Sequence, residues 1–269
     1  MARQLENRVA VVTGASRGLG RAIALKLAAE GAHIIATART QGGLEELDDE
    51  IKNMGGTATL VPADIKDFAA IDRLGAAIFE RWKKLDILIG NAGVQGKLTP
   101  LGHLDPKVFD DAMAVNLTAN YRLIRSLDPL LRASDAGRAV FITSGLAYKC
   151  FAYWGAYSIS KAALEALVKT YAAENESTAI RANCFSPGPT RTKMRAAAMP
   201  GEDPDTLPSA EEVAAQVIPM CLSSFTDNGA VYKYAPTGLF KQILCAAKQP
   251  LMPFALAARP RNRLPPPMT

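Results

Sequence analysis

A short apolar run, Val9-Ala10-Val11-Val12, leads directly into Thr13-Gly14-Ala15-Ser16-Arg17-Gly18-Leu19-Gly20 and then into a segment of helical period that stops at Gly31. This junction restricts the fold more than any other feature of the chain. The apolar run has no polar face, so it needs cover on both sides, as a strand inside a parallel sheet has. The glycines, spaced G-x-x-x-G-x-G, fall where a backbone must turn tightly and admit a pyrophosphate to a helix N-terminus. A lone glycine cluster says little, but the strand-turn-helix setting makes this one informative.

The rest of the chain repeats the alternation. Strands are expected at Arg8 to Thr13, His33 to Arg39, Ala58 to Asp64, Asp86 to Gly90, Arg138 to Ser144, Ile180 to Phe185 and Ala230 to Tyr234. Between them lie helical segments near Leu19 to Glu30, Leu44 to Met54, Phe68 to Trp82, Pro106 to Leu131, Gly155 to Glu174 and Ala210 to Leu222. Right-handed crossovers between such strands predict an α/β fold: a Rossmann-type, doubly wound parallel sheet of about seven strands with helices on both faces. No linker divides the chain, so residues 1–238 are expected to form one domain. Within it, a polar stretch around Pro200-Gly201-Glu202-Asp203-Pro204 suits a lid over a ligand, spanning about 189–208. Residues 239–269 read as a basic, proline-rich tail.

Charge and composition narrow the function. The formal net charge is +5, but Lys241, Lys248, Arg259, Arg261 and Arg263 all lie in that tail, which has no acidic residue. Removing them leaves the body neutral, which argues against a nucleic-acid-binding face. Hydrophobic residues make up 49% and charged residues 21%, which excludes disordered and polytopic membrane classes. The cysteines, Cys150, Cys184, Cys221 and Cys245, are widely spaced, and only His33 and His103 could assist them. Neither a disulfide framework nor a metal site is expected. No secretory leader or membrane span is evident, so the cytoplasm is the expected compartment.

Two further regions carry chemistry. At the end of the second strand an NAD enzyme usually offers a carboxylate to the ribose 2′-hydroxyl. Here the chain reads Thr37-Ala38-Arg39-Thr40, and Ser16, Arg17 and Arg39 supply a hydroxyl and two guanidinium groups suited to a 2′-phosphate. NADP(H) is therefore the expected cofactor, with NAD(H) the alternative. Farther on, Tyr157 and Lys161 share one face of a helix at i, i+4 spacing. A cation about 4 Å from the phenol, at an effective dielectric of ~20, is worth ~4 kcal/mol, or about three pKa units, offset in part by desolvation. Tyr157 could then exchange a proton with a hydroxyl or carbonyl oxygen near neutral pH. Ser144 ends an apolar strand and can hydrogen-bond the same oxygen.

With Asp64, Asn91-Ala92-Gly93, Asn116 and Pro187-Gly188 added to these motifs, the chain resembles the short-chain dehydrogenase/reductase family, in its compact single-domain form, over about residues 5 to 235. The resemblance implies an oxidoreductase that transfers hydride between nicotinamide and a carbonyl or secondary alcohol. It implies Asn116, Ser144, Tyr157 and Lys161 as the catalytic set, with Asn116 holding a water in a proton relay to Lys161. Around the cofactor it implies Gly14, Ser16, Arg17, Gly18, Leu19, Gly20 and Arg39 at the turn, and Asp64 and Ile65 at the adenine. Asn91, Ala92 and Gly93 would line the adenosine ribose, Lys161 would hold the nicotinamide ribose beside Tyr157, and Pro187, Gly188, Thr190 and Thr192 would place the nicotinamide ring. A homodimer or homotetramer acting on a small molecule would be usual.

Two departures stand out. Gly90 replaces the first asparagine of the usual Asn-Asn-Ala-Gly, and Asn228-Gly229-Ala230-Val231-Tyr232-Lys233-Tyr234 replaces the usual glycine-rich closing strand. The substrate walls are open to two readings. Val94, Leu146 and the segment Cys150-Phe151-Ala152-Tyr153-Trp154 suit either an apolar substrate pocket or packing under a lid or subunit interface. The rival functional class is a non-catalytic dinucleotide sensor or scaffold, against which the intact Asn116, Ser144, Tyr157 and Lys161 argue. The extended epimerase branch uses a different glycine spacing, and a methyltransferase has no need of Tyr157 and Lys161.

Overall fold

The computed structural model describes residues 3–242. The chain alternates strands and helices in the order β1 (Val9–Thr13), α1 (Gly18–Ala29), β2 (His33–Ala38), α2 (Gln41–Asn53), β3 (Thr57–Pro62), α3 (Phe68–Trp82) and β4 (Ile87–Gly90). Then follow α4 (Pro106–Met113), a π-helical turn (Ala114–Thr118), α5 (Ala119–Arg132), β5 (Arg138–Ile142), the short α6 (Leu146–Lys149), α7 (Gly155–Glu174) and β6 (Arg181–Ser186). Past β6 lie α8 (Lys193–Ala198), α9 (Ala210–Ala215), α10 (Ile218–Cys221), β7 (Val231–Lys233) and β8 (Phe240–Gln242).

The strands form one sheet in the order β3-β2-β1-β4-β5-β6-β7-β8, parallel except for the last pair. Strands β1, β4 and β5 are buried along their whole length, as their uninterrupted apolar runs require. Side chains alternate between the two faces. Ala10, Val12, Ile87 and Ile89 meet α1, α2 and α9 on one face. Val9, Val11, Leu88 and Phe141 meet α3, α5 and α7 on the other. The chain leaves β1 toward β2 on one side and returns to β4 on the other, so a crevice opens at the C-terminal ends of β1 and β4. Among the described residues no helix is long and apolar enough to cross a membrane.

The doubly wound α/β fold is the one expected, with three differences. The sheet has eight strands instead of about seven, because β8 pairs antiparallel with β7, Lys233 opposite Phe240 and Val231 opposite Gln242. Backbone pairing thus runs past Gly238, where the tail was expected to begin; the remaining tail, 243–269, lies outside the described residues. The helix expected from Ala210 to Leu222 is broken into α9 and α10, since Pro219 has no N–H to donate to the Ala215 carbonyl. The long helix from Pro106 widens into the π turn around Asn116, and such turns gather at functional sites.

At the opposite end of the sheet a polar cluster ties β1, β4 and β5 together. The Asp86 carboxylate, fully buried, accepts from the Val9 N–H (2.9 Å), Ser134 Oγ (2.6 Å), Arg8 (2.9 Å) and Lys84 (3.0 Å). Burial alone would push this carboxyl up, but the donors outweigh burial and hold it below the usual carboxylate range. A depressed carboxyl contributes stability above its unfolded pKa of about 3.9, and that contribution is lost as pH falls through the lower, folded value. We expect Asp86→Ala to lower stability by roughly 2–3 kcal/mol at pH 7, because it leaves the Ser134 hydroxyl, the Val9 N–H and the Lys84 ammonium unmatched, while Arg8 keeps its pairing to Asp135. Urea denaturation at pH 7 and pH 3 checks this: the gap between parent and variant should narrow at pH 3, and equal midpoints at pH 7 would show the cluster to be dispensable.

Candidate active site

The glycine turn is built by close approach. Gly14 and Gly18 have φ of +66° and +56°, a region that side chains disfavour. A Cβ on Gly20 would overlap Asn91 Nδ2 and the Gly14 carbonyl. Thr13 supplies the lock: its hydroxyl accepts from the backbone N–H of Asn91 and of Ala92, both at 2.9 Å, and donates to the Ile89 carbonyl at 3.2 Å. Asn91 Nδ2 donates in return to the Thr13 carbonyl at 2.8 Å. The ends of β1 and β4 are thereby pinned at a fixed separation.

Gly90 is explained by its neighbours. A Cβ there would overlap the Phe141 ring and crowd Asn120 Oδ1. The volume that an asparagine would occupy is already filled by Phe141 and Asn120, both buried.

Above this lock opens a cavity of about 1700 Å³. That is larger than an ordinary single-ligand pocket of up to ~1,000 Å³, and it has room for a dinucleotide and a substrate together. Gly14, Ser16, Arg17, Gly18, Leu19 and Gly20 line it, as do Arg39, Asp64, Ile65, Asn91, Ala92 and Gly93. Ser144, Tyr157, Lys161, Pro187, Gly188, Thr190 and Thr192 line it as well. Of the catalytic and cofactor residues expected at the site, Asn116 alone is absent from the wall; of the expected substrate walls, Val94, Leu146, Phe151 and Trp154 line it and Cys150, Ala152 and Tyr153 do not.

The nucleotide end fits a phosphate-bearing group on its own geometry. Arg17, the N-cap of α1, is extended and its side chain makes no cap bond, so the first N–H groups of the helix carry no side-chain cap from it. Neighbouring Arg21 and Lys66 are engaged by Glu50 and Asp111. Arg17 and Arg39 are exposed and have no ion-pair partner among the described residues.

At the other end Ser144 follows β5, while Tyr157 and Lys161 project from the first turns of α7. The Ser144 hydroxyl lies beside the Tyr157 phenol. Lys161 Nζ donates to the Ile142 carbonyl at 2.6 Å and sits 5.7 Å from the centre of the Tyr157 ring. This corrects the electrostatic expectation. Burial pushes the Tyr157 phenol up to about 12, only partly offset by Ser144, and lowers the buried Lys161 to about 8. The ammonium is drawn toward β5 and does not depress the phenol, which is therefore neutral at pH 7.

Asn116 occupies the π turn and faces inward. Its Oδ1 accepts from the Val94 N–H, and its Nδ2 donates to the Val94 carbonyl and to Ser160 Oγ, at 2.8, 2.8 and 2.9 Å. Its backbone carbonyl accepts from Asn120 Nδ2 at 2.8 Å. The side chain thus clasps the segment after β4 to α7, and Ser160 Oγ in turn donates to the Tyr157 carbonyl at 2.9 Å. Sequence reasoning overlooked Thr13, Asn120 and Ser160 in these roles. Thr13 stood next to the glycine turn as a signal, whereas the other two read as ordinary helix residues.

Fold and site together define a nicotinamide-dinucleotide oxidoreductase with a Ser-Tyr-Lys arrangement. The short chain dehydrogenase family model matches residues 8–203, and the chain belongs to that family. It is an enzyme of the class acting on alcohol and carbonyl groups. It is 36% identical over 227 residues to YciK, an uncharacterized Escherichia coli oxidoreductase, with 83% of this chain and 88% of YciK covered. A short chain dehydrogenase structure from Salmonella enterica superposes with a TM-score of 0.82 at 33% identity, covering 87% of this chain and 98% of that one. An Escherichia coli short chain dehydrogenase structure in complex with NADPH gives 0.79 at 34% identity, covering 87% and 98%.

The crowding at Gly20 yields a direct test. We expect Gly20→Ala to displace Asn91 and the Gly14 carbonyl and to weaken binding of the nicotinamide dinucleotide at least tenfold, about 1.4 kcal/mol, while the far-UV circular dichroism of the folded chain persists. A fluorescence titration that finds parental affinity would show that the turn can yield.

Proposed function

We propose that this protein is an NADP(H)-dependent reductase of carbonyl compounds, with Tyr157 as proton donor, Ser144 orienting the carbonyl oxygen and Lys161 supporting both. The observation that carries this reading is the placement of the Tyr157 phenol beside the Ser144 hydroxyl in the cavity that also holds Lys161 and the glycine turn. A phenol titrating near 12 is a poor base at pH 7 but holds a transferable proton. When bound, the nicotinamide supplies or accepts the hydride. The protein's own groups do the rest. Ser144 presents a hydroxyl where negative charge develops on oxygen, and the Asn116 clasp on Val94 and Ser160 steadies the wall around Tyr157. Lys161, whose Nζ among the described residues bonds the Ile142 carbonyl and no carboxylate, would hold a ribose hydroxyl of the dinucleotide.

Support for NADP(H) over NAD(H) comes from Ser16, Arg17 and Arg39 on the wall, with no carboxylate at the end of β2. The relative solved with NADPH is consistent with this choice. Two guanidinium groups without an ion-pair partner among the described residues match a 2′-phosphate through charge-assisted bonds. A sensor that bound the dinucleotide without turnover would have no need of Ser144, Tyr157 and Lys161 gathered in one wall.

Removing only the phenolic oxygen should separate chemistry from binding. Tyr157→Phe is expected to bind NADPH as the parent does and to lose about 10²- to 10⁴-fold in kcat, the range of a lost acid/base group. NADPH oxidation followed across aldehydes, ketones, quinones and acyl thioesters provides the assay, and an active Tyr157→Phe variant would refute the proton-donor role. NADPH should bind at least tenfold more tightly than NADH, and Arg39→Asp should erase or reverse that difference. Equal affinities in the parent, by fluorescence titration, would overturn the cofactor assignment.

A further inference from the structure

The cavity wall is rich in basic side chains, and its lining carboxylates among the described residues are Asp64, after β3, and Glu211, on α9. The wall on the substrate side, made by the segment after Ser144 and by the end of β7, presents Lys149 and Lys233 with the rings of Tyr148, Phe151 and Tyr234. No carboxylate among the described residues lines that part of the wall, and the chain from 243 to 269 contains no aspartate or glutamate.

Lys233 differs from Lys149. Lys149 is exposed, whereas Lys233 is partly buried and stands on the sheet itself, in register with Ser186 of β6 and Phe240 of β8. Its Nζ lies 4.6 Å from the centre of the Tyr148 ring. Tyr148 belongs to α6, and its hydroxyl packs close to Gly145, the residue after Ser144. Tyr148 thus stands between the Ser144-Gly145 turn and the Lys233 ammonium. A ring face attracts a cation but satisfies none of its three N–H donors in the way an anion does. Among the described residues no carboxylate pairs with Lys233 and no protein acceptor takes its Nζ hydrogens. The ammonium opens onto the cavity, where its hydrogens are free to meet a ligand's acceptor.

Given the reductase reading above, we propose that Lys233 anchors an anionic group of the substrate, so that the enzyme takes carbonyl compounds carrying a carboxylate or a phosphate some bonds away from the reacting carbon. Tyr148 holds the ammonium in place, and Phe151 and Trp154 cover the apolar body between the two ends. Lys233 belongs to the closing segment Asn228–Tyr234 that replaces the usual glycine-rich strand.

Matched aromatic ketones isolate the charge. Benzoylbutyrate, its methyl ester and benzoylpropyl phosphate share a reacting carbonyl and a ring. With NADPH, kcat/KM for at least one of the two anions is expected to exceed that of the ester by about tenfold or more, and the two anionic arms show whether carboxylate or phosphate is preferred. Lys233→Met should bring the ratio of anion to ester close to one, and Lys233→Arg should keep it well above one. Calorimetric titration of the same compounds onto the NADP⁺-loaded protein reads the same ratio as affinity, without turnover. Equal values for anions and ester in the parent, a preference that survives in Lys233→Met, or no binding of either anion at millimolar concentration would each overturn the anchor. Turnover of the ester that depends on Tyr157 but shows no charge preference would defeat the anchor and leave the reductase standing. Charge-dependent binding with no turnover of any ketone would uphold the anchor and defeat the reductase reading.

Discussion

The lock between Thr13 and Asn91 is the constraint on which the rest of this structure depends. Neighbouring parallel strands leave their carboxyl ends without a partner wherever the chain reverses direction across the sheet, and there a crevice must be held open without exposing unsatisfied backbone. Thr13 and Asn91 do both, since one hydroxyl accepts two N–H groups and one amide satisfies the Thr13 carbonyl. Because Asn91 leans over the turn, position 20 must be glycine, and α1 can start close under the cavity with its N-terminus uncovered. The nucleotide end is therefore a consequence of how two strands are joined.

A second dependence runs through α7. Lys161, Glu165 and Tyr157 belong to one helix, and each is held by a separate hydrogen bond. Lys161 bonds the end of β5, Glu165 accepts from the Thr143 hydroxyl at 2.8 Å, and the Tyr157 carbonyl is held by Ser160 and so by the Asn116 clasp. The helix is thereby registered against β5 at several points along its length, with Ser144 between. Such support is what keeps a reactive pair within the narrow geometry that proton transfer needs. Its electrostatic cost falls on the lysine, whose pKa burial lowers to about 8, while Glu165 nearby acts in the opposite sense.

The amino-acid sequence determined the architecture, because its main signals are local. Uninterrupted apolar runs such as Val9 to Val12 and Ile87 to Ile89 demand strands buried on both faces, and the glycines of the turn demand a strand-to-helix reversal. It also determined which residues meet in the cavity, since strand ends and the first turn of a helix have predictable places in a doubly wound sheet. Tertiary packing decided what depends on distance and burial. Spacing alone set Lys161 to depress Tyr157, but the β5 carbonyl draws the ammonium away and burial raises the phenol. Packing also turned Asn116 inward, filled the space beside Gly90 with Phe141 and Asn120, and extended the sheet by β8. It carried Lys233, inconspicuous in an alternating strand, to the face of Tyr148 near Ser144. These contacts join residues distant in the chain, and no local pattern encodes which carbonyl, ring or ammonium will be nearest once the elements pack.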